Sequence, residues 1–121
     1  MSNSRITVLA SAVRAATINS EIFGNPSARG LHLTIDMTAV PGNDTVTPVI
    51  QGYDETSGKY YTILTGAAIV ATGTTVLKVY PGLPGTANAI ANDILPSSWR
   101  VTMTHSAVTN FTYSVGASLQ G

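Results

Sequence analysis

Apolar and polar residues alternate along much of this chain, and this period of two restricts it to a β-sheet fold more than any other feature does. The clearest run covers residues 31–38, where Leu, Leu, Ile and Met occupy every second position and His, Thr, Asp and Thr lie between them. Successive side chains of a strand point to opposite faces of its sheet. The run therefore predicts a strand with one face turned toward a hydrophobic core.

The same alternation recurs between clusters of turn-forming residues. It predicts further strands at residues 6–10, 45–53, 59–64, 74–80, 99–104 and 110–115. Pro41–Asp44 is predicted to form a turn, and Asp54–Gly58 is predicted to close a β-hairpin. Residues 106–109 are predicted to join the last two strands as a second hairpin. Pro48 cannot donate to a strand ladder, so its strand is expected to be an edge there, or bulged.

The remaining segments have weaker patterns. Pro81–Gly85 holds two Pro and two Gly, which predict a loop. Residues 86–93 are rich in Ala and Asn and are predicted to form one short helical turn. Residues 12–17 fit a helix or a strand, and we favour a strand because no N-cap motif precedes them.

About six to eight short strands and no convincing long helix predict a single all-β domain. The architecture expected is an antiparallel β-sandwich or a jelly-roll-like barrel. Within it, residues 1–29 are expected to form an N-terminal arm or the first strands, and residues 30–121 the β-sandwich. As an arm, residues 1–29 would extend onto a neighbouring copy or a partner, since terminal segments are otherwise poorly held.

Charged residues make up only 10% of the chain, and six basic and six acidic side chains cancel to a net charge of +0. Soluble domains usually carry about 25% charged residues, and a charge near zero promotes association. We therefore expect self-association, as a trimer or dimer. The basic residues are scattered, so no nucleic-acid partner is expected. The longest apolar stretch is far shorter than the roughly 20 residues that span a bilayer, so no membrane is expected either.

The two histidines are the first candidates for catalysis, because histidine is the most usual general base. Ser106, His105 and Asp36 contain the residue types of a hydrolytic triad. Neighbouring residues of a strand point to opposite faces, however, so His105 and Ser106 would not face each other. The chain also lacks a Gly-x-Ser-x-Gly nucleophile elbow. We predict no catalytic residue and interpret His32 and His105 as exposed or interface side chains.

Metal and cofactor sites are not expected. The chain has no cysteine and only two histidines, which disfavours a transition-metal site. Asp54 and Glu55 are the only adjacent carboxylates, and we interpret them as turn residues rather than cation ligands. The Gly82–Gly85 run lacks the Lys and Ser/Thr of a phosphate-binding loop and is interpreted as structural.

Aromatic side chains allow two interpretations. Five of them fall in or beside predicted strands: Tyr53, Tyr60, Tyr61, Trp99 and Tyr113. Core and cross-strand packing is the interpretation we favour, because aromatics are enriched in strands. The alternative is a platform for a carbohydrate ligand, as in lectin-like sandwiches.

Four runs carry a resemblance to a known group of proteins. Residues 29–40 (RGLHLTIDMTAV), 50–61 (IQGYDETSGKYY), 79–82 (VYPG) and 95–101 (LPSSWRV) resemble small virion proteins of tailed bacteriophages. The resemblance covers most of the chain from Arg29 to Gly116. It implies a small β-sandwich that sits on the virion in repeated copies, and it transfers no catalytic residue.

These observations together predict a non-enzymatic structural protein. The function expected is capsid decoration, or cement, in which the chain binds the major capsid protein and stabilises the phage head. It would be located in the virion and assembled in the bacterial cytoplasm. A tail or neck component is the alternative within the same class, and a carbohydrate-binding β-sandwich module is the alternative from another class.

Overall fold

The computed structural model describes residues 4–121, and within that range the chain forms ten strands and no helix. The strands are β1 (Ser4–Arg14), β2 (Ile18–Asn19), β3 (Phe23–Gly24), β4 (Gly30–Ala39), β5 (Val46–Asp54), β6 (Lys59–Thr65), β7 (Gly73–Val79), β8 (Ile90–Ala91), β9 (Ser98–His105) and β10 (Phe111–Gln120). Each alternating run of the sequence lies in one of the longer strands.

Two sheets hold these strands. The first sheet has the order β1-β10-β4-β7-β8, and the second has the order β2-β9-β5-β6, with β3 also paired to β9. The described pairs are antiparallel except β7 with β8, which is parallel. The prediction of an all-β sandwich is confirmed.

The core lies between the two sheets and follows from the alternation. In β10, every second side chain from Phe111 to Leu119 is buried, and the intervening ones are half-exposed. The largest side chains with almost no exposed surface are Trp99, Tyr113, Phe111, Leu31, Leu33, Ile35, Met37, Ile50, Leu77 and Met103. Removing this apolar surface from water is the main free energy that holds the sheets together.

The prediction of a second hairpin at residues 106–109 is wrong. Strand β9 belongs to the second sheet and β10 to the first, so this connection crosses from one sheet to the other. Turn-forming residues fix the backbone angles of a connection, but they do not determine which strands pair. The same residues therefore occur in a hairpin and in a connection between two sheets.

The helical turn predicted at residues 86–93 is also wrong. Asn88 has a φ of 63° and lies in a turn whose ends are joined by two backbone hydrogen bonds between Thr86 and Ile90. The segment then forms β8, whose parallel pairing with β7 is fixed by the amides of Lys78 and Tyr80, which donate to Ala89 and Ala91. Backbone pairing with a strand overrides the weak helix preference of alanine.

Pro48 does not lie in an edge strand, because β5 pairs with β9 on one side and β6 on the other. The carbonyl of Pro48 accepts a hydrogen bond from Gly66, one residue beyond the end of β6. The nitrogen and the carbonyl of a strand residue point to the same side, so the nitrogen of Pro48 faces β6 and not β9. The missing N–H therefore removes no hydrogen bond to β9. A register shift in the β5–β6 ladder lies two residues further on, between Ile50 and Gln51.

The described part of the N-terminal segment, residues 4–29, contributes strands to both sheets. β1 pairs with β10, while β2 and β3 pair with β9. The loop that leads into β4 is fixed by buried Asn25, whose Nδ2 donates to the carbonyls of Ala28 (2.9 Å) and Leu95 (3.1 Å). Residues 1–3 of the segment lie outside the described range.

Candidate functional site

The residues of the imagined triad lie apart. The ring of His105 lies between the sheets, whereas Asp36 is exposed on the outer face of the first sheet. The hydroxyl of Ser106 accepts a hydrogen bond from the amide of Thr45 (2.8 Å). The three side chains therefore do not form the relay of contacts that nucleophilic catalysis requires.

His105 instead forms a contact between the sheets. Its Nε2 lies 2.9 Å from the hydroxyl oxygen of Tyr113, and its ring meets Phe111 edge-on at 5.3 Å. Nδ1 is buried without a hydrogen-bond partner among residues 4–121. The expectation of an exposed side chain is therefore wrong for His105, because its ring is half-buried in the sandwich.

The surroundings of this contact shift both pKa values. Burial lowers the pKa of His105, and the nearby charge of Arg14 lowers it further. Burial raises the pKa of Tyr113 to about 12, although Arg14 acts in the opposite direction. The Arg14 guanidinium lies over the Tyr113 ring, 4.9 Å from its centre. Both aromatic side chains are thus held in their neutral forms near pH 7.

The described residues contain no group of three or more His, Cys, Asp or Glu side chains arranged to hold a metal ion. Asp54 has the role of a turn residue, since its carboxylate accepts hydrogen bonds from the Ser57 hydroxyl (2.7 Å) and the Thr56 amide (3.3 Å). These bonds lower its pKa. The amide of Gly82 donates to Asn92 (2.8 Å) within the loop. No helix between residues 4 and 121 is long and apolar enough to cross a membrane.

A cluster of aromatic and polar side chains lies on the outer face of the second sheet. We call it the tyrosine–arginine surface and define it as Gln51, Tyr53, Tyr60, Arg100 and Thr102. Strand register creates it, because Gln51 lies opposite Arg100 on β9, and Tyr53 lies opposite Tyr60 on β6. Alternation turns all five side chains away from the core.

Direct contacts join these side chains. The guanidinium of Arg100 lies 3.4 Å from the centre of the Tyr60 ring, and its Nε donates to Gln51 Oε1 (2.8 Å). The Tyr53 and Tyr60 rings are 4.8 Å apart. The Thr102 hydroxyl lies within hydrogen-bond distance of Gln51 Oε1 (3.2 Å) and Asn19 Oδ1 (2.8 Å). A cation–π contact and a hydrogen bond thus hold the Arg100 side chain in place.

Such an arrangement has the properties of a protein-binding surface. Tyrosine and arginine are enriched among the residues that dominate binding energy at interfaces. Side chains that are already ordered lose little conformational freedom on binding. The surface offers contact area and hydrogen-bonding groups, and none of its five members is a carboxylate, cysteine or histidine.

The five aromatic side chains weighed as a carbohydrate platform divide between core and surface. Trp99 and Tyr113 are fully buried, so neither can contact a ligand in this fold, and packing is confirmed for both. Tyr61 is 49% exposed and covers Gly52, where an added Cβ would collide with its ring. One face of Tyr60 is occupied by Arg100. Tyr53 shares a face with Tyr60, whereas Tyr61 shares the opposite face with Gly52, so Tyr53 and Tyr61 do not form one platform for a sugar.

The contact between Arg100 and Tyr60 was not anticipated from the sequence. Alternation alone turns both side chains outward, but bringing them together requires β9 and β6 to flank the same strand, β5. The β5–β9 pairing joins residues about fifty positions apart, and no local pattern specifies it.

The chain matches no family model and no curated protein. Among solved structures, it is similar to a chain in the structure of the infectious bursal disease virus Gx strain, with a TM-score of 0.53 and 11% sequence identity. The match covers 97% of this chain but 31% of the viral chain, so the present chain spans less than a third of its length. At this identity the match shows a shared fold.

Proposed function

We propose that this chain is a non-enzymatic structural protein of a virion, and that it decorates and stabilises the head of a tailed bacteriophage. The observation that carries the proposal is the sandwich fold, which the chain shares over 97% of its length with a chain of a virus structure. The resemblance of four sequence runs to small phage virion proteins supports the narrower assignment.

The surface chemistry is consistent with this role. The outward side chains of β10, which lies between β1 and β4 in the first sheet, are Thr112, Ser114, Ser118 and Gln120, with Gly116 among them, and none is charged. Burying ionised groups against a partner costs far more free energy than burying hydroxyls that find new hydrogen bonds. An uncharged strand surface of this kind suits permanent contact with a neighbouring subunit.

The partner in this proposal is the major capsid protein, and the contact is made by the tyrosine–arginine surface. A single small contact of this kind binds weakly. Self-association of the chain as a trimer or dimer would present several such surfaces to symmetry-related capsid subunits, which strengthens attachment through effective concentration.

Binding to purified phage head shells is the direct test. The chain is mixed with shells lacking it, and co-sedimentation and electron microscopy are used to measure and locate it. Regular density on the heads supports decoration. Density on the tail or neck favours the alternative within the same class, and binding to neither overturns the proposal. A glycan array supports the carbohydrate alternative if binding there is lost in Tyr61→Ala.

The surface is tested separately with the double variant Tyr53→Ala, Arg100→Ala. Truncating a dominant interface residue typically weakens binding by about 2 kcal/mol or more, which is roughly thirtyfold. The matched control is Lys59→Ala, because Lys59 is an exposed basic residue at the end of the same hairpin. Equal shell binding by the double variant and the control would remove this surface from the proposal.

A further inference from the structure

A row of polar side chains crosses the outer face of the first sheet. Arg5 lies opposite Ser118, Ser118 lies opposite His32, and His32 lies opposite Lys78, so four neighbouring strands each contribute one residue. Neighbouring strands are about 4.8 Å apart, which places Arg5 and Lys78 about 14 Å from each other. We call these four residues the basic row.

The row has no Asp or Glu partner on the described part of the chain. Arg5, His32 and Lys78 form no ion pair or hydrogen bond with an Asp or Glu side chain within residues 4–121. The carboxylate on the same face of β4 is Asp36, four residues from His32 and therefore about 13 Å along the strand. Its attraction is largely screened by water and salt over that distance.

A groove lies directly beside the row. The next residues across the sheet are Thr7, Gly116 and Thr34, which are opposite one another in the two ladders. Since Gly116 has no side chain, a depression of about 480 Å³ opens there, with Arg5 and His32 among its lining residues. An added Cβ at Gly116 would meet no atom within 4 Å, so the space above this backbone is open.

We propose that this groove binds the carboxylate side chains of an extended acidic segment of a partner protein. A carboxylate accepts several hydrogen bonds, and the groove offers donors on both walls: the guanidinium of Arg5, the imidazole of His32 and the hydroxyls of Thr7 and Thr34. This proposal rests on the proposed function in one respect only, the source of the acidic segment. If the chain decorates a phage head, the segment belongs to the major capsid protein.

An extended segment fits the spacing of the row. Alternate side chains of a strand are about 6.8 Å apart, so carboxylates at positions 1, 3 and 5 span about 13.6 Å, close to the separation of Arg5 and Lys78. Nucleic acid fits less well. Its binding depends on many phosphate contacts and, for single strands, on stacking with aromatic side chains. The groove lining contains no Phe, Tyr or Trp, and His32 is its one ring side chain among the described residues.

The test uses two synthetic peptides, acetyl-Glu-Thr-Glu-Thr-Glu-amide and the same peptide with Gln in place of each Glu. Binding to the full chain is followed by NMR chemical shifts. The Glu peptide is expected to shift the amides of β10 and β4 around Gly116, and the Gln peptide is expected not to. Arg5→Gln with Lys78→Gln should weaken binding roughly fivefold, since each of the two exposed charge pairs contributes about a factor of two.

Two further variants separate the groove from general surface effects. Gly116→Leu should abolish peptide binding, because its side chain projects into the depression and blocks its floor. Ser114→Leu is its control, since it adds the same side chain to the same face of β10 outside the groove lining. Unfolding curves of both variants establish that each is folded.

Three results would overturn the proposal: equal binding of the Gln peptide, full binding by Gly116→Leu, or tighter binding of a thymidine oligonucleotide. Shell binding then separates the two proposals. If the wild-type chain binds no shells but Gly116→Leu still loses the peptide, the groove stands and the decoration role fails. If Gly116→Leu binds shells as well as wild type and retains the peptide, the groove fails and decoration stands.

Discussion

The imidazole Nε2 of His105 and the hydroxyl oxygen of Tyr113 lie 2.9 Å apart and join the two sheets of the sandwich through their side chains. His105 is the last residue of β9, and Tyr113 is in β10, which begins six positions later. The contact therefore spans the point where the chain crosses from the second sheet to the first. It is polar, within a core that is otherwise built from apolar side chains.

Tyr113→Phe removes only the hydroxyl and should destabilise the fold. The variant leaves Nε2 of His105 without its partner, and Nδ1 already has none among the described residues. A buried polar group that loses its hydrogen bond costs about 1–3 kcal/mol. Urea denaturation measures the loss. Tyr61→Phe, at a half-exposed ring, is the control and should change the free energy of unfolding by less than about 0.5 kcal/mol.

Stability should fall as the pH is lowered below the ordinary His pKa of 6.5. The pKa of His105 is lowered in the folded chain, so the unfolded chain binds the proton first and is favoured as the pH decreases through this range. Two charged or titratable groups act on the imidazole: Tyr113, whose hydroxyl is hydrogen-bonded to Nε2, and Arg14, whose guanidinium lies over the Tyr113 ring. Arg14 is a cation, so it opposes protonation.

Urea midpoints between pH 5 and pH 8 test this dependence in wild type and in His105→Gln. Both chains retain His32, so a difference in slope reports His105 alone. If the urea midpoints of the two chains change with pH in the same way, the folded state does not oppose protonation of His105, and the prediction is contradicted. Above pH 10, Tyr113 should have a second effect, because its raised pKa means that stability decreases as the unfolded phenol ionises.

The sequence identifies strands well and their partners poorly. Alternation at residues 31–38 depends on neighbouring positions only, and the observed β4 is one residue longer at each end. The hairpin at Asp54–Gly58 was predictable because its turn chemistry is local, with Gly58 at a φ of 73°. The break between β9 and β10 was not, since the choice of sheet is decided by packing against residues distant in sequence.

The candidate surfaces show the same division. Alternation predicts that Arg100 and His32 point away from the core, and the structure places Tyr60 and Arg5 on the same two outer faces. Which of them meet depends on register between strands that are far apart in the sequence, as for Arg5 on β1 and His32 on β4, both of which flank β10. The groove at Gly116 likewise requires the structure, because a glycine in a strand alone does not reveal what surrounds it.

Gly30→Ala should destabilise the chain by about 1–3 kcal/mol, the usual cost of forcing extra atoms into packed structure. A Cβ at Gly30 would collide with the backbone carbonyl of Val79 and the ring of Tyr80. Val79 pairs with β4, so its carbonyl cannot retreat without disturbing the ladder. Gly116→Ala, in the same sheet but in open space, is the control. Thermal unfolding of both variants decides the matter, and equal midpoints would contradict the packing described at Gly30.

A chain beginning at Gly30 tests the role of residues 1–29. In the structure, β1 covers the edge of β10 and contributes Val8, which is 6% exposed, to the core, with Ile6 and Leu9 packed beside it. Removing this segment exposes the edge of β10 and opens the core to water. We therefore expect the shortened chain to be unfolded or aggregated.

Circular dichroism and sedimentation of the shortened chain distinguish the two descriptions of this segment. If the segment is an arm that contacts only a neighbour, the chain from Gly30 folds normally and loses only self-association or shell binding. If β1 is an integral strand, folding itself fails. A chain beginning at Ser4 is the matched control, since it retains β1, β2 and β3 and should give the spectrum and unfolding midpoint of the full chain.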